Sequence, residues 1–157
     1  MIRLFAMDVD GTLTDGGIYI GSSGDEFKKF DVRDGYAIVK LIKSGVHVAF
    51  ISGRFSKVTD RRAAELGVKY VVNGCADKLP ELSRIADELG VNASETAFIG
   101  DDLPDIPAIK WAGLGMAVRN AEDEVKHASD WVSPKRGGGG AVRAAAEHIA
   151  RLNGTVI

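Results

Sequence analysis

Residues 4–14, LFAMDVDGTLT, are the most informative stretch of this chain. The apolar start predicts a buried strand over residues 4–9, which meets Asp8 and Asp10 at its end. Because side chains two residues apart in a strand point the same way, both carboxylates project beyond its carboxyl end. Ligands of open α/β sheets bind at that edge. The stretch therefore predicts a polar site where the first strand ends.

The rest of the chain alternates apolar, strand-like runs with amphipathic segments of helical length. This pattern predicts an α/β fold with a Rossmann-like parallel sheet and helices on both faces. A turn-rich segment between short strands at 18–20 and 26–30 predicts a β-hairpin after the first strand. One helix is expected to open at Asp34-Gly35. The third helix is expected to be capped by Asp77.

The composition predicts one globular domain over residues 1–157, since 45% of the residues are hydrophobic and 27% are charged. The net charge is −2, with acidic and basic residues mixed, so no basic patch for nucleic acid is expected. No segment resembles a signal peptide or approaches the length of a membrane span. We therefore expect a cytoplasmic protein with no nucleic-acid or membrane partner.

A second group of acids follows the predicted strand at residues 96–99, namely Asp101, Asp102 and Asp105. If this strand neighbours the first, five carboxylates converge, and such a concentration of negative charge requires a cation. The cluster contains no histidine or cysteine, so Mg²⁺ is favoured over zinc. Loop acids that cap helices are the alternative, but they do not explain why two strands end in the same chemistry.

Two further segments supply groups that suit a phosphate. Ser52-Gly53, at the end of the second long strand, offers a hydroxyl and backbone N–H groups. Lys78, at the start of a helix, can neutralise charge on a transferring phosphoryl group. Each signal is weak alone, and a lysine at a helix start is more often solvated. The order Asp-x-Asp, Ser, Lys, Asp-Asp, each after an apolar strand, makes the set informative.

The segments DVDGTLTDG, FISGR, CADKL and FIGDDLPD resemble the four motifs of haloacid-dehalogenase-superfamily phosphatases, in the same order. The resemblance implies that Asp8 is the nucleophile and Asp10 the general acid and base. It implies a Mg²⁺ ion held by the Asp8 carboxylate, the Asp10 carbonyl and Asp101.

The same resemblance assigns the remaining motif residues. Ser52, Gly53 and Lys78 would bind the phosphoryl group. Asp102 and Asp105 would orient waters and Lys78. The gaps between motifs are too short for the cap domain that larger members insert, so a capless enzyme is expected.

Further segments, DGGIYIG, KKFDVRDGYAI, DRRAAELGV and GGGGAVR, resemble the capless, tetrameric phosphatases of 3-deoxy-D-manno-octulosonate 8-phosphate. This implies a homotetramer built through the hairpin at about 17–30. It also implies a mobile, glycine-rich C-terminal tail, at about 134–157, that closes over a neighbour's site. Arg54 and Arg62 match positions that read the sugar acid. The chain departs from the family pattern at Thr12, where valine is frequent, and at Gly139 and Ala144.

Several alternatives remain open. A sister group acting on nine-carbon ulosonate phosphates tends to carry glutamate at the position of Arg54, which favours the eight-carbon substrate here. Another small sugar phosphate, or a non-catalytic oligomerisation module, is also considered. A signalling receiver is rejected on the order of its acidic residues. In a receiver the paired acids end the first strand and the phospho-acceptor lies on a later strand. In this chain Asp-x-Asp comes first and the acidic pair comes late.

Overall fold

The computed structural model describes residues 1–157, and a parallel sheet of six strands lies at its centre. In chain order the strands are β1 Leu4–Met7, β2 Tyr19–Ile20, β3 Glu26–Phe27, β4 His47–Ser52, β5 Tyr70–Asn73, β6 Thr96–Gly100, β7 Leu114–Ala117 and β8 Trp131–Val132. The helices are α1 Val32–Lys43, α2 Lys57–Leu66, α3 Lys78–Leu89, α4 Ile106–Trp111, α5 Asp123–Ala128 and α6 Ala141–Leu152. Short 3₁₀ helices lie at Ala93–Glu95 and Leu103–Asp105.

The sheet has the order β5-β4-β1-β6-β7-β8, and β2 pairs with β3 in a separate antiparallel hairpin. Helix α1 packs against α6, and α3 packs against α4, which gives one helical layer on each face. The predicted α/β class, the helices on both faces and the hairpin insertion are confirmed. Because both faces are covered, β1, β4 and β6 are buried along nearly their whole length.

The topology brings the two acidic strand ends together. From β1 the chain goes through α1 to β4 on one side, and β6 lies on the other side of β1. Met7 pairs with both Phe50 and Ile99, so Asp8 emerges between the ends of β4 and β6. This is the switch point at which open α/β sheets form their ligand crevice. The core beneath is apolar, with Phe5 and Phe98 fully buried.

Helix α1 begins earlier than predicted. Its N-cap is Asp31, whose carboxylate accepts a hydrogen bond from the Arg33 amide at 2.8 Å, so the expected start at Asp34-Gly35 is wrong. Asp34 is instead buried and accepts hydrogen bonds from the amides of Gly140, at 3.3 Å, and Arg143, at 2.8 Å. Its carboxylate therefore joins α1 to the start of α6.

The glycine-rich run at 137–140 packs against the segment that follows β1. The Gly138 amide donates to the Thr12 carbonyl at 3.1 Å, and the Gly137 amide donates to Asn120 Oδ1 at 2.9 Å. The run is therefore a turn packed against the segment after β1, and the chain continues into α6. Glycines let its backbone approach Gly11 too closely for side chains, and the mobility expected of this run stays a prediction.

The hairpin is shorter than predicted, with two residues in each strand. A single antiparallel bridge between Thr14 and Phe30 ties its return strand to the segment after β1. No further domain is inserted at this point, as expected for a capless fold. Among the helices, none combines the length and the apolar character that a membrane span needs.

Candidate active site

A cleft of about 390 Å³ lies at the carboxyl ends of β1, β4 and β6. Eight of the ten predicted site residues line it, and they are Asp8, Asp10, Gly53, Arg54, Lys78, Asp101, Asp102 and Asp105. Ser52 and Arg62 do not. A smaller depression of about 220 Å³, next to His47 and Tyr70 at the opposite end of the sheet, has no acidic lining residue. The chemistry therefore concentrates in the cleft at the carboxyl edge.

Three carboxylates meet at the bottom of the cleft. Single oxygens of Asp8, Asp101 and Asp105 all lie within 4.8 Å of one another. Burial and the negative charge of Asp105 raise the pKa of Asp8, and burial raises the pKa of Asp101. A divalent cation between these oxygens would cancel the repulsion and favour their ionised forms. The all-oxygen donor set fits a hard ion such as Mg²⁺.

Lys78 is buried beside these acids, so it is not a solvated surface lysine. Its Nζ lies 2.5 Å from Asp8 Oδ1 and 2.6 Å from Asp105 Oδ1. Burial alone would lower the pKa of Lys78, but the two carboxylates outweigh it and raise the pKa above its ordinary value. Asp77 caps α3 through the Leu79 amide at 3.3 Å, which fixes Lys78 as the first helical residue. The lysine is therefore held as a charged ammonium next to Asp8.

Asp105 is positioned by the backbone as well as by Lys78. Its Oδ2 accepts from the amides of Asp101, at 2.9 Å, and Asp102, at 3.2 Å. Asp102 accepts from the Leu103 amide at 2.8 Å and caps the 3₁₀ helix that follows. The expected role of Asp105 in orienting Lys78 stays a prediction. The expected role of Asp102 in orienting waters stays a prediction.

Asp10 lies in the same cleft but outside the acidic cluster. Its Oδ1 is 2.6 Å from Nζ of Lys28, whose side chain is 0% exposed. The sequence interpretation missed Lys28. Its spacing of two from Glu26 in the predicted return strand indicates only that the two side chains share a face, and it does not point to Asp10.

Glu26 pairs with Arg54 and accepts a hydrogen bond from the Ser56 hydroxyl, and the Ser56 bond is the main reason that its pKa is lowered. The hairpin therefore anchors Arg54 at the cleft. Ser52 is buried at the end of β4, and its hydroxyl donates to the Arg54 carbonyl at 2.8 Å. In this arrangement only Gly53 of the predicted Ser-Gly pair faces the cleft.

Arg62 lies away from the cleft of its own chain. It lines a separate depression of about 290 Å³, with its guanidinium 5.5 Å from the centre of the Phe30 ring. Its Nη1 pairs with Glu65 at 3.3 Å. The structure thus brings Arg54 to the acids of the cleft but does not bring Arg62 to them.

Thr12 is a second group that the sequence interpretation did not assign to the site. It is fully buried, and its hydroxyl donates to Asp101 Oδ1 at 3.0 Å. In the sequence, Thr12 stands out only as a departure from the valine that is frequent in the family. Its distance from Asp101 along the chain hides the contact, which exists because β1 and β6 are neighbours.

Together the sheet order, the acidic strand ends and the buried lysine define a haloacid dehalogenase-like hydrolase, and a family model of that description matches residues 71–144. The KdsC 3-deoxy-D-manno-octulosonate 8-phosphate phosphatase of Escherichia coli K12 is 42% identical over 142 residues, covering 90% of this chain and 76% of that protein. The chain therefore belongs to the 3-deoxy-D-manno-octulosonate 8-phosphate phosphatase family.

Solved structures agree with this assignment. The phosphatase of that name from Moraxella catarrhalis, in complex with a magnesium ion, a phosphate ion and a KDO molecule, is 46% identical with a TM-score of 0.93. The similarity covers 96% of this chain and 86% of that one. The Yersinia pestis phosphatase is 40% identical with a TM-score of 0.94, and the similarity covers 99% of this chain and 86% of that one. The resemblance inferred from the motifs is confirmed over nearly the whole chain.

Proposed function

We propose that this protein is a Mg²⁺-dependent phosphomonoester hydrolase that acts on 3-deoxy-D-manno-octulosonate 8-phosphate through an aspartyl phosphate on Asp8. One observation carries the proposal: buried Asp8 lies against the Lys78 ammonium, within 4.8 Å of Asp101. A nucleophilic carboxylate, a cation for the phosphoryl group and ligands for a metal thus meet at one point.

The metal site in this proposal uses the carboxylates of Asp8 and Asp101 and the backbone carbonyl of Asp10. Asp105 is already occupied by Lys78 and two backbone amides, so its role is to hold Lys78. When bound, Mg²⁺ neutralises phosphoryl charge and aligns the ester with the nucleophile.

The residues of the chain then divide the reaction. An Asp8 carboxylate oxygen bonds to phosphorus as the ester P–O bond breaks, and Asp10 donates its proton to the departing alkoxide. Asp10 next takes a proton from the water that attacks phosphorus, which frees Asp8 and releases inorganic phosphate. Lys78 balances the charge of the phosphoryl oxygens, and Gly53 contributes its backbone N–H group.

Arg54 is the proposed contact for the sugar-acid carboxylate, since it lines the cleft and a guanidinium binds carboxylates through two parallel hydrogen bonds. Arg62 can serve a substrate only if a neighbouring subunit brings it to a cleft, because it does not line that of its own chain. Arg54→Met and Arg62→Met should each raise the KM for the sugar phosphate. Arg61→Met, on the exposed face of α2, is the matched control.

The substrate role of Arg62 joins this proposal to a homotetramer. The hairpin exposes apolar side chains that a contact between subunits would cover, with Ile20 69% and Phe27 62% exposed. Light scattering on the purified chain should give four times the mass of 16.7 kDa. The double variant Ile20→Ser, Phe27→Ser should lower that mass. The proposal also places the enzyme in the cytoplasm, in line with its single unpaired cysteine.

The decisive experiment measures phosphate release from 3-deoxy-D-manno-octulosonate 8-phosphate by EDTA-treated protein, with and without added Mg²⁺. We expect release that requires Mg²⁺ and disappears in Asp8→Asn, while Asp15→Asn, outside the cleft, remains active. Activity on a nine-carbon ulosonate phosphate or another sugar phosphate alone would keep the mechanism and replace the substrate. No release from any phosphate ester would support the non-catalytic oligomerisation module.

A further inference from the structure

Lys28 contacts the proposed general acid, Asp10, from outside the four sequence motifs. Its Nζ lies 2.6 Å from Asp10 Oδ1, and its side chain is fully buried, whereas the Asp10 side chain is 24% exposed. We propose that Lys28 is a positioning residue that keeps the Asp10 carboxyl group aimed at the leaving-group oxygen. This assignment rests on the proposed phosphatase function and deepens it.

The hairpin fixes Lys28 in place. Strand β3, Glu26–Phe27, precedes it directly, and the bridge between Phe30 and Thr14 follows it. Glu26, two residues earlier and on the same face, is anchored by Arg54. The ammonium is therefore tied to backbone that is held on both sides, while the neighbouring Lys29 is exposed and takes part in no ion pair.

Asp10 depends on this contact for its orientation. Lys78 donates hydrogen bonds to Asp8 and Asp105, and Thr12 donates one to Asp101. The Asp10 side chain has a single hydrogen-bond partner, which is Lys28. Proton transfer requires the donor oxygen within hydrogen-bonding reach of the acceptor oxygen. Without Lys28 the Asp10 carboxyl group can rotate about its side-chain bonds toward solvent, and its productive orientation becomes less populated.

The choice of leaving group separates a role of Lys28 in proton donation by Asp10 from a role in substrate binding. When phosphorus passes to Asp8, the ester P–O bond breaks and its electron pair stays on the leaving oxygen. A sugar or alkyl alkoxide needs the Asp10 proton at that moment, whereas p-nitrophenolate leaves as a stable anion without it. The value of kcat/KM reports this first step, so a misaligned Asp10 should harm alkyl esters selectively.

The test measures kcat/KM of Lys28→Met, Lys28→Arg and Lys29→Met on three esters: 3-deoxy-D-manno-octulosonate 8-phosphate, glycerol 2-phosphate and p-nitrophenyl phosphate. Lys28→Met should lose about tenfold or more on both alkyl esters and less than about threefold on the aryl ester. Lys28→Arg should recover much of the loss, and Lys29→Met should match the parent.

Other outcomes overturn the assignment. A loss confined to the sugar-acid ester would make Lys28 a substrate contact, and an equal loss on all three esters would mean general damage to the site. Retention of the aryl activity shows that Lys28→Met is folded, so a selective loss cannot be attributed to unfolding. If the parent protein hydrolyses none of the three esters, the proposed function itself fails, which is distinct from a parent that is active and a variant that is unaffected.

Discussion

The Thr12 hydroxyl donates a hydrogen bond to Asp101 Oδ1 at 3.0 Å. Thr12 follows β1 and Asp101 follows β6, so the bond joins the two acidic strand ends directly. The Asp101 carboxylate is a ligand of the proposed metal. The hydrogen bond from Thr12 restricts the rotation of this carboxylate. Burial of Thr12 makes the contact part of the fold as well as of the site.

Thr12→Val should therefore weaken Mg²⁺ binding without abolishing it. The variant keeps the shape of the side chain and loses the hydroxyl, so Asp101 is less well oriented; loss of such supporting hydrogen bonds typically costs about 10- to 100-fold in metal affinity. The measurement is the Mg²⁺ concentration that gives half-maximal phosphate release, with Thr12→Ser expected to restore it. Thr59→Val is the matched control, because the buried Thr59 hydroxyl has no hydrogen-bond partner. An unchanged Mg²⁺ requirement in Thr12→Val would contradict this argument.

Without a bound metal, repulsion among the carboxylates should lower the thermal stability of the protein. In the metal-free protein the crowded carboxylates repel one another, so Asp101→Asn should leave its thermal midpoint equal to or above that of the parent. Addition of Mg²⁺ should raise the midpoint of the parent by linkage, but not that of Asp101→Asn. Asp15→Asn, at an exposed acid outside the cleft, should respond to Mg²⁺ like the parent. The idea fails if Asp101→Asn is stabilised by Mg²⁺ as much as the parent is.

Lys78→Met should lower both stability and activity. The substitution leaves Asp8 and Asp105 buried without their counter-charge, and removing one partner of a buried ion pair costs about 3–5 kcal/mol. The free energy of unfolding, from urea titration in EDTA, should fall by roughly this amount. Phosphate release should fall by about 100-fold or more, since the phosphoryl charge loses a cation. Lys69→Met, at an exposed lysine, should change neither quantity; a similar loss there would refute the explanation.

The strand ends were predictable from sequence because an apolar run that stops at an acid is a local signal. Asp8, Asp101 and Lys78 each follow such a run, and the order of the motifs supplied the rest. The contacts of Lys28 and Thr12 were not predictable in this way. They join residues whose proximity depends on how the hairpin folds back and on which strands are neighbours, which periodicity does not reveal. Asp34 resembles a helix start in the sequence, because a buried hydrogen-bond acceptor and a helix cap can have the same local sequence.

Asp34 should make stability depend on pH. Burial raises its pKa to about 6 from an ordinary value of 3.8, so between these values the folded state binds more protons than the unfolded state. Stability contributed by protonated Asp34 is therefore present at pH 4 and is lost as the pH rises through about 6. The full difference corresponds to roughly 3 kcal/mol.

The measurement is the free energy of unfolding between pH 4 and pH 7.5 in EDTA, for the parent and for Asp34→Asn, which does not titrate. The free energy of unfolding of the parent minus that of Asp34→Asn should decline up to about pH 6 and then stay level. Asp130→Asn, at an exposed acid in a different part of the fold, serves as a second reference. A difference that grows with pH would show that Asp34 is ionised more easily in the folded state, against this prediction.

The glycine run offers a direct test of whether it is a packed turn. A Cβ added at Gly137 would collide with the Gly11 carbonyl, whereas one added at Gly139 would meet its nearest atom, the Arg136 carbonyl oxygen, at 3.4 Å. Gly137→Ala should therefore destabilise the protein by about 1–3 kcal/mol, and Gly139→Ala by less than about 1 kcal/mol. Because Gly137 presses on the loop that carries Asp10, Gly137→Ala should also reduce phosphate release. Equal stability of the two variants in urea would mean that the run is free of the Gly11 backbone, as a mobile closing segment would be.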